Sequence, residues 1–274
     1  METSGYHAAS FHIGSHSFMK PAAALSDHPV ISLKVNFGGF VPLSTVDWRG
    51  RAVCTVFLRG CPVRCSYCHN RSIQDGEDYR DLDEVVEMIR SSKLLVSGVV
   101  FSGGEPTMQP EPLKALAKAS RQMGLGVGLQ TNGVFPKVLG SLIGEKLVDR
   151  VALDLKARWE RYDNLLKEKY SGPVRESLAL CRDARLAGNL PEFEVVVTLF
   201  RGYEDEVPYI AKVADGVDLV LQQGLDGGVK PLSADELRRV ADRVGRVVKI
   251  RTREEGEVVY AGDRGRRVSG ERQG

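Results

Sequence analysis

The stretch AVCTVFLRGCPVRCSYCHN, residues 52–70, joins a short apolar run to a loop that carries three cysteines. The run at 52–58 is rich in β-branched and aromatic residues and has the length of a buried strand. The loop spaces Cys61, Cys65 and Cys68 as Cys-x3-Cys-x2-Cys. The stretch therefore predicts a strand that ends directly in a functional loop.

Similar apolar runs recur outward from this stretch, and longer amphipathic segments separate them. The runs that predict strands are 52–58, 98–101, 126–130, 150–156, 193–200 and 217–222. The segments that predict helices lie near 81–90, 110–122, 135–147, 174–187, 204–213 and 233–244. Such alternation implies right-handed βαβ units and a parallel sheet that is covered on both faces. We therefore predict a single α/β domain, a partial (β/α)6 TIM-like barrel, with 247–252 as a further edge strand.

The two ends of the chain lack this periodicity. Residues 1–30 mix small residues with four histidines whose spacing suits no fixed metal geometry, and they predict a flexible N-terminal extension. Residues 256–274 predict a flexible tail that is basic and rich in glycine toward its end. The barrel domain is accordingly predicted at 31–255.

Composition excludes several classes of partner. A chain of 274 residues with 42% hydrophobic residues can bury a sizeable core, and a net charge of +2 predicts no strong attraction to nucleic acid or to anionic membranes. No apolar run approaches the roughly 20 residues of a membrane span, and the first thirty residues do not resemble a secretion signal. Three of the five cysteines crowd into one loop, which indicates metal ligands or redox groups in a reducing cytoplasm rather than disulfides.

The cysteine loop fits an iron–sulfur cluster better than two other cofactors. Three thiolates can each bind one iron of a [4Fe-4S] cubane and leave the fourth iron open, whereas Cys54 and Cys181 are predicted to be core residues. The run CSYCH at 65–69 also matches the attachment signature of c-type haem, which requires an exported, oxidising setting. A zinc site that includes His69 would need the adjacent Cys68 and His69 at two corners of one tetrahedron. Haem and zinc are kept as minor alternatives.

Small and polar residues also follow three further predicted strands. In SGGEPT (102–107), two glycines allow close approach of the backbone to a ligand, and Glu105 adds a carboxylate at the rim. In QTNG (130–133), a plain turn explains Asn132 and Gly133 about as well as a binding site does. The two-residue period of a strand places Asp154 and Lys156 on one face, where they form a structural ion pair or hold a zwitterion such as methionine.

The pattern Cys-x3-Cys-x-aromatic-Cys, with Tyr67 as the aromatic residue, resembles the radical S-adenosylmethionine (SAM) superfamily over most of residues 35–252. This resemblance implies one [4Fe-4S] cluster on Cys61, Cys65 and Cys68, whose open iron binds the methionine part of SAM. Tyr67 would flank the adenine, and the GGE segment would receive the methionine ammonium through its backbone. The positions that the resemblance assigns to cofactor binding are Tyr67, His69, Gly103, Gly104, Glu105, Thr131, Asn132, Asp154 and Lys156.

Finer features resemble the activating enzymes of glycyl radical enzymes. His69 and Asn70 follow the last cysteine as in those enzymes, and the segments 37–61 and 221–223 are similar to the activating proteins of anaerobic ribonucleoside-triphosphate reductase. Two features depart from the pattern, because Arg49 stands where those proteins usually have proline and 219–231 lacks the histidine of pyruvate formate-lyase activating enzymes.

The resemblance implies a specific reaction. An external electron donor such as flavodoxin or ferredoxin would reduce the cluster, and cleavage of SAM would give a 5′-deoxyadenosyl radical. That radical would install a glycyl radical on a partner, anaerobic ribonucleotide reductase. Two alternatives stay open: the same radical chemistry on a small molecule, nucleoside or peptide, and a non-catalytic iron–sulfur electron carrier, which would leave Asp154 and Lys156 without a purpose.

Overall fold

A computed structural model describes residues 33–225 and 230–262. These residues contain one sheet of ten strands. The predicted extension at 1–30 and the end of the predicted tail, 263–274, lie outside the described residues. The strands are β1 (Lys34–Ser44), β2 (Val53–Leu58), β3 (Tyr79–Asp81), β4 (Gly98–Gly103), β5 (Gly126–Thr131), β6 (Arg150–Asp154), β7 (Glu192–Leu199), β8 (Asp218–Gln223), β9 (Val248–Thr252) and β10 (Gly256–Tyr260).

The helices alternate with the strands of the central part of the sheet. They are α1 (Leu82–Ser92), α2 (Pro110–Gln122), α3 (Pro136–Gly144), α4 (Trp159–Leu166), α5 (Ser171–Leu186), α6 (Val207–Val213) and α7 (Ala234–Asp242). Proline at the first turn of α2 and α3 and a capping box of Ser233 and Glu236 at α7 explain where these helices begin. Among the described helices, none has the length and apolar character needed to cross a membrane.

The strand order is β10-β9-β8-β7-β6-β5-β4-β2-β1-β3, and the seven strands from β9 to β2 in this order pair in parallel. All six predicted strands, the further strand at 247–252 and the predicted helices are present, so the α/β partial-barrel prediction is confirmed. Their β-branched and apolar side chains are almost wholly buried, as expected for parallel strands that are covered on both faces.

Four elements were not predicted from the sequence. At one end of the sheet, β1 pairs antiparallel with both β2 and the edge strand β3. Two glycines and a proline in KVNFGGFVPLS obscure the strand pattern of β1. The helix α4 follows β6 directly. The strand β10 corrects the predicted tail over 256–260, because Gly256 at φ +72° and a hydrogen bond of 3.0 Å from Glu255 N–H to Thr252 Oγ1 close a hairpin with β9.

Trp48 fills the concave side of the sheet near the first residues of its parallel strands. This side chain from the β1–β2 connection is 1% exposed and packs with Val53 and Val100. A Cβ on Gly128 would lie 3.0 Å from its ring, and its indole N–H donates to Glu192 Oε2 over 2.9 Å. One aromatic side chain therefore fills the barrel interior at the end opposite to the carboxyl ends of the parallel strands.

Replacing Trp48 tests this packing. Because Trp48→Ala removes a fully buried indole that its neighbours cannot replace, it should lower the free energy of unfolding in urea by about 3–5 kcal/mol. Leu94→Ala is a suitable control, since Leu94 is 97% exposed and its loss should change the value by less than about 0.5 kcal/mol. Equal effects of the two substitutions would contradict the assigned role of Trp48.

Candidate functional site

A cavity of about 460 Å³ opens where the parallel strands end. Parallel strands bring their carboxyl ends to one edge, so loops that are distant in sequence meet there. The structure brings together every predicted site residue except the side chain of Glu105. The predicted residues that line the cavity are Cys61, Cys65, Tyr67, Cys68, His69, Gly103, Gly104, Thr131, Asn132, Asp154 and Lys156.

The cysteine loop is fastened to the barrel at both of its ends. Cys61 N–H donates to the Gln74 carbonyl over 3.0 Å, so the start of the loop is tied to the segment that follows it. Arg59 donates from Nε to the Phe37 carbonyl and from its guanidinium to the Asp75 carbonyl, at 3.1 Å each. These bonds hold the two ends of the loop together over the end of β2, although much of the loop itself lacks regular structure.

The three loop thiols are free and partly buried, and they face one cavity. Burial raises the pKa of the Cys61 thiol to about 11 and also raises that of Cys65, where nearby Lys156 opposes the effect. In the described segments, no three His, Cys, Asp or Glu side chains converge closely enough to hold a single metal ion. The donor set nevertheless fits a three-cysteine cluster, because Cys54 and Cys181 are fully buried in the core, as predicted, and neither lines the cavity.

Glu105 does not present its carboxylate at the rim, which corrects the sequence prediction. Its side chain is fully buried, and its Oε1 accepts from Thr107 N–H at 3.0 Å and Thr131 Oγ1 at 2.7 Å. Its Oε2 accepts from Asn132 N–H at 2.7 Å. Burial raises the pKa of Glu105, and these hydrogen bonds oppose the shift. The carboxylate therefore joins the loops after β4 and β5.

The two glycines of the GGE segment are required by the neighbouring backbone. A Cβ on Gly103, which has φ +124°, would lie 2.3 Å from the Leu58 carbonyl oxygen, and one on Gly104 would lie 2.2 Å from that of Gly60. Gly104 N–H donates to Leu58 O and Glu105 N–H donates to Gly60 O, each over 2.8 Å. The glycines thus let the segment lie directly against the end of β2, and its backbone still lines the cavity.

Asp154 and Lys156 form the ion pair that the strand period predicts. The Lys156 side chain is 8% exposed, and the Asp154 side chain is 33% exposed. Burial opposes the charge of Lys156, but Asp154, followed by Tyr67, Cys65 and Tyr162, together outweigh it, so the pKa of Lys156 lies well above its usual value. The pair therefore offers a fixed cation beside a partly accessible anion.

Two aromatic residues that sequence reasoning missed support Tyr67. Phe200 lies at the end of β7 with its ring centroid 4.5 Å from that of Tyr67, and Tyr203 follows at 6.2 Å. The Lys156 ammonium lies 5.8 Å from the Tyr67 ring centroid on the cavity side. The only sequence signal for this wall was an aromatic residue at the end of the predicted strand FEVVVTLF.

Polar side chains from the last strands form a further part of the cavity wall and were also missed as site residues. They are Thr198, Gln222, Gln223, Arg251 and Arg253. The signal covered only part of this set, since Thr198, Gln222 and Arg251 are polar residues on one face of the sheet, where the register makes them neighbours. Gln223 falls on the other face, and Arg253 lies beyond the end of β9. In the sequence, Gln222 and Gln223 stand out only through their resemblance to a family segment.

Beneath this wall, charged residues form a network inside the barrel. Glu194 binds the guanidinium groups of Arg150 and Arg251, and Arg251 also binds Glu257. Burial opposes ionisation of Glu194, but Arg150 and Arg251 hold its pKa below the usual value. The network orients Arg251, which donates to Gln222 Oε1 over 3.1 Å and lines the cavity.

Comparison with known proteins points to one superfamily. A family model described as the radical SAM superfamily matches residues 55–214. A Methanocaldococcus jannaschii protein provisionally named a glycyl-radical enzyme activating enzyme is 32% identical over 163 residues, 55% of this chain and 64% of that protein. The pyruvate formate-lyase 1-activating enzyme of Escherichia coli K12 is 35% identical over 125 residues, 43% of this chain and 50% of the relative. The chain thus spans between half and two thirds of the length of these relatives.

A third relative and two solved structures are also similar to this chain. The 7-carboxy-7-deazaguanine synthase of Hyperthermus butylicus is 39% identical over 87 residues, 30% of this chain and 36% of that protein. Among solved structures, TYW1 with a lysine-pyruvate adduct bound has a TM-score of 0.57 at 16% identity and covers 77% of this chain and 80% of its own. A structure of anSMEcpe with bound AdoMet and a Kp18Cys peptide has a TM-score of 0.51 at 20% identity, with coverages of 68% and 56%. These structures share the fold of the chain.

The close approach at Gly104 yields a stability prediction. Because the methyl group of Gly104→Ala would collide with the Gly60 carbonyl, the substitution should lower the free energy of unfolding in urea by about 1–3 kcal/mol. Gly144→Ala in α3 is the matched control, since nothing lies within 4 Å of its added methyl and it should be neutral or stabilising by about 0.5 kcal/mol. A neutral Gly104→Ala variant would show that the two segments are not in direct contact.

The barrel network yields a pH prediction. Glu194→Gln leaves the buried Arg150 without its counterion and should lower the free energy of unfolding near pH 7 by about 3 kcal/mol. Because the folded-state pKa of Glu194 is depressed, its contribution is present above the unfolded pKa of about 4.3 and is lost as the pH falls through the folded value. The difference from the unsubstituted chain should therefore shrink below about pH 4 in urea titrations. Glu87→Gln, at a surface pair with Arg90, should cost less than about 1 kcal/mol at either pH.

Proposed function

Since this chain belongs to the radical SAM superfamily, we propose that it reductively cleaves SAM and installs a glycyl radical on a partner enzyme of the anaerobic ribonucleotide reductase kind. One observation carries the proposal: the cysteine loop, the GGE backbone and the Asp154–Lys156 pair line the same cavity. An electron carrier would need the cysteine loop alone. The arrangement of two further binding elements around the thiols favours an enzyme.

Each element of the cavity suits one part of the two cofactors. A [4Fe-4S] cluster and SAM, when bound, would supply the one-electron cleavage that yields a 5′-deoxyadenosyl radical. The thiolates of Cys61, Cys65 and Cys68 would hold three irons and leave one position open, because no other cysteine lines the cavity among the described residues. The Lys156–Asp154 pair offers complementary charges to the carboxylate and ammonium of methionine.

The GGE backbone is suited to accept hydrogen bonds from an ammonium group. The N–H groups of Gly104 and Glu105 already donate to the carbonyl oxygens of Leu58 and Gly60. The groups that this segment offers to a ligand are therefore carbonyl oxygens. The Gly103 carbonyl accepts from Asn70 Nδ2 over 2.9 Å and keeps a second lone pair. Asn70 thereby holds the cysteine loop and the GGE segment together, which gives one residue of the His69–Asn70 pair a definite role.

The aromatic wall is suited to a purine. Tyr67 is half-buried and lies against Phe200, and burial raises the pKa of its phenol, so the ring remains neutral and available for stacking. His69 lies near the same wall, with its ring centroid 6.3 Å from that of Phe200. These rings would flank the adenine of SAM, as the sequence resemblance implies for Tyr67.

The kind of partner is supported by the named relatives. Two activating enzymes align over about half of this chain, and one of them is named for pyruvate formate-lyase. The similarity to a deazaguanine synthase over 87 residues favours a second candidate, radical chemistry on a nucleoside or other small molecule. An external donor such as flavodoxin or ferredoxin would supply the electron in either case.

A cysteine substitution with a matched control tests the proposed function. Under anaerobic conditions, protein reconstituted with iron and sulfide should form 5′-deoxyadenosine from SAM in the presence of dithionite. With an anaerobic ribonucleotide reductase it should also give the doublet of a glycyl radical in electron paramagnetic resonance (EPR). Cys65→Ala should abolish both signals, at least about 100-fold, because it removes a thiolate that faces the cavity.

The control and the partner distinguish the alternatives. Cys181→Ala should retain both signals, because Cys181 is buried on α5 away from the cavity. Deoxyadenosine without a doublet would reject this partner and favour the small-molecule candidate. A correctly loaded cluster that yields neither product would reject the enzyme and support an electron carrier.

A further inference from the structure

The side chain of Asn132 contacts the first cysteine of the loop from across the cavity. Its Nδ2 donates to Cys61 Sγ over 3.6 Å, a distance suited to a hydrogen bond that sulfur accepts. The two residues are 71 positions apart in the sequence, and Asn132 is 8% exposed. A plain turn does not require such a contact, so the side chain has a role beyond the bend that follows β5.

A second hydrogen bond fixes which end of the amide faces the sulfur. Val134 N–H donates to the other end of the side chain over 3.1 Å, and a backbone N–H can meet only the oxygen. The oxygen is therefore assigned to Val134, and the NH₂ group is directed at Cys61. The donor character of the contact follows from the backbone and not from a choice of amide orientation.

The backbone of Asn132 is held as firmly as its side chain. Its N–H donates to Oε2 of the buried Glu105 over 2.7 Å, and the other oxygen of that carboxylate accepts from Thr131 Oγ1. The next residue, Gly133, has φ +77°, and its carbonyl accepts from Ser177 Oγ over 2.6 Å. The amide is thus presented to the sulfur at a fixed position, which is how polar groups around a metal site influence the metal.

We propose that Asn132 is a positioning residue that orients Cys61 and, through the amide-to-sulfur hydrogen bond, raises the reduction potential of the cluster that Cys61 holds. The inference rests on the proposed function, since it requires the cluster. The reduced cluster carries one more negative charge than the oxidised cluster, and a hydrogen-bond donor stabilises the more negative form more strongly. Glu105, which the sequence predicts at the rim, acts indirectly, because its carboxylate accepts the hydrogen bond from Asn132 N–H.

Two substitutions at this position separate the electrostatic role from a structural one. Asn132→Ala removes both the donor to Cys61 and the acceptor for Val134. Asn132→Asp keeps an oxygen for Val134 and replaces the donor with a second oxygen, which is negatively charged near neutral pH. The proposed role predicts that both variants lower the midpoint potential and that Asp lowers it at least as much as Ala. A structural role predicts the opposite order, with Asp close to the unsubstituted protein.

The measurement is an anaerobic redox titration of the full chain, followed by EPR of the reduced cluster. At the midpoint potential of the unsubstituted protein, the ratio of reduced to oxidised cluster should fall about tenfold in Asn132→Ala, which is about 59 mV for one electron. Unchanged potentials in both variants would overturn the inference, as would a potential for Asp above that for Ala.

A second measurement applies if either variant fails to assemble a cluster. Unsubstituted protein carrying asparagine labelled with ¹⁵N in the side-chain amide should show a ¹⁵N coupling to the reduced cluster in pulsed EPR. Asn70 also lines the cavity but donates to the Gly103 carbonyl, so the coupling should persist in Asn70→Ser protein that binds four irons. A coupling that is missing from the unsubstituted protein, or that disappears in Asn70→Ser protein with four irons bound, would overturn the inference.

Failure of the inference can be distinguished from failure of the proposed function. Unsubstituted protein that binds four irons and forms 5′-deoxyadenosine, but whose variants have unchanged potentials, would retain the function and lose only the role of Asn132. An unsubstituted chain that assembles no [4Fe-4S] cluster would overturn both.

Discussion

The parallel pairing of β2 with β4 is the contact on which the site depends. Its register places Leu58 opposite Gly103, so the cysteine loop and the GGE segment leave the sheet side by side. Only glycine is compatible with the resulting distances, because any Cβ at Gly103 or Gly104 would overlap the backbone of the neighbouring strand and loop. The cysteine loop has little regular structure of its own, and it takes its position from this pairing and from Arg59.

Hydrogen bonds of buried polar groups connect the GGE segment to the loop after the next strand of the sheet, β5. A carboxylate as buried as that of Glu105 is tolerated because protein donors satisfy both of its oxygens, and those donors lie on the loop after β5. The loop after β5 in turn contacts Cys61 through Asn132. Three consecutive strand ends are thereby coupled by hydrogen bonds, so a change in one loop reaches the thiols through defined contacts.

The two walls of the cavity differ in how closely they follow the family pattern. The wall formed by the early strands carries the cysteines, the GGE segment and Asp154–Lys156, and it matches what the superfamily resemblance implies. The wall formed by the last strands carries amides and guanidinium groups, and Arg251 is oriented there by the ion pairs inside the barrel.

The sequence by itself determined the parallel strands, the helices between them, the cysteine motif and the shared face of Asp154 and Lys156, because local periodicity and spacing encode these features. It did not reveal β1 or β10, whose patterns are short or interrupted by glycine and proline. Only the tertiary structure decided that Glu105 is buried, that Phe200 supports Tyr67 and that Asn132 contacts Cys61. The hydrogen bond of Glu105 joins residues 27 positions apart, and that of Cys61 joins residues 71 positions apart. Such contacts arise from the register between strands, which no local pattern in the chain encodes.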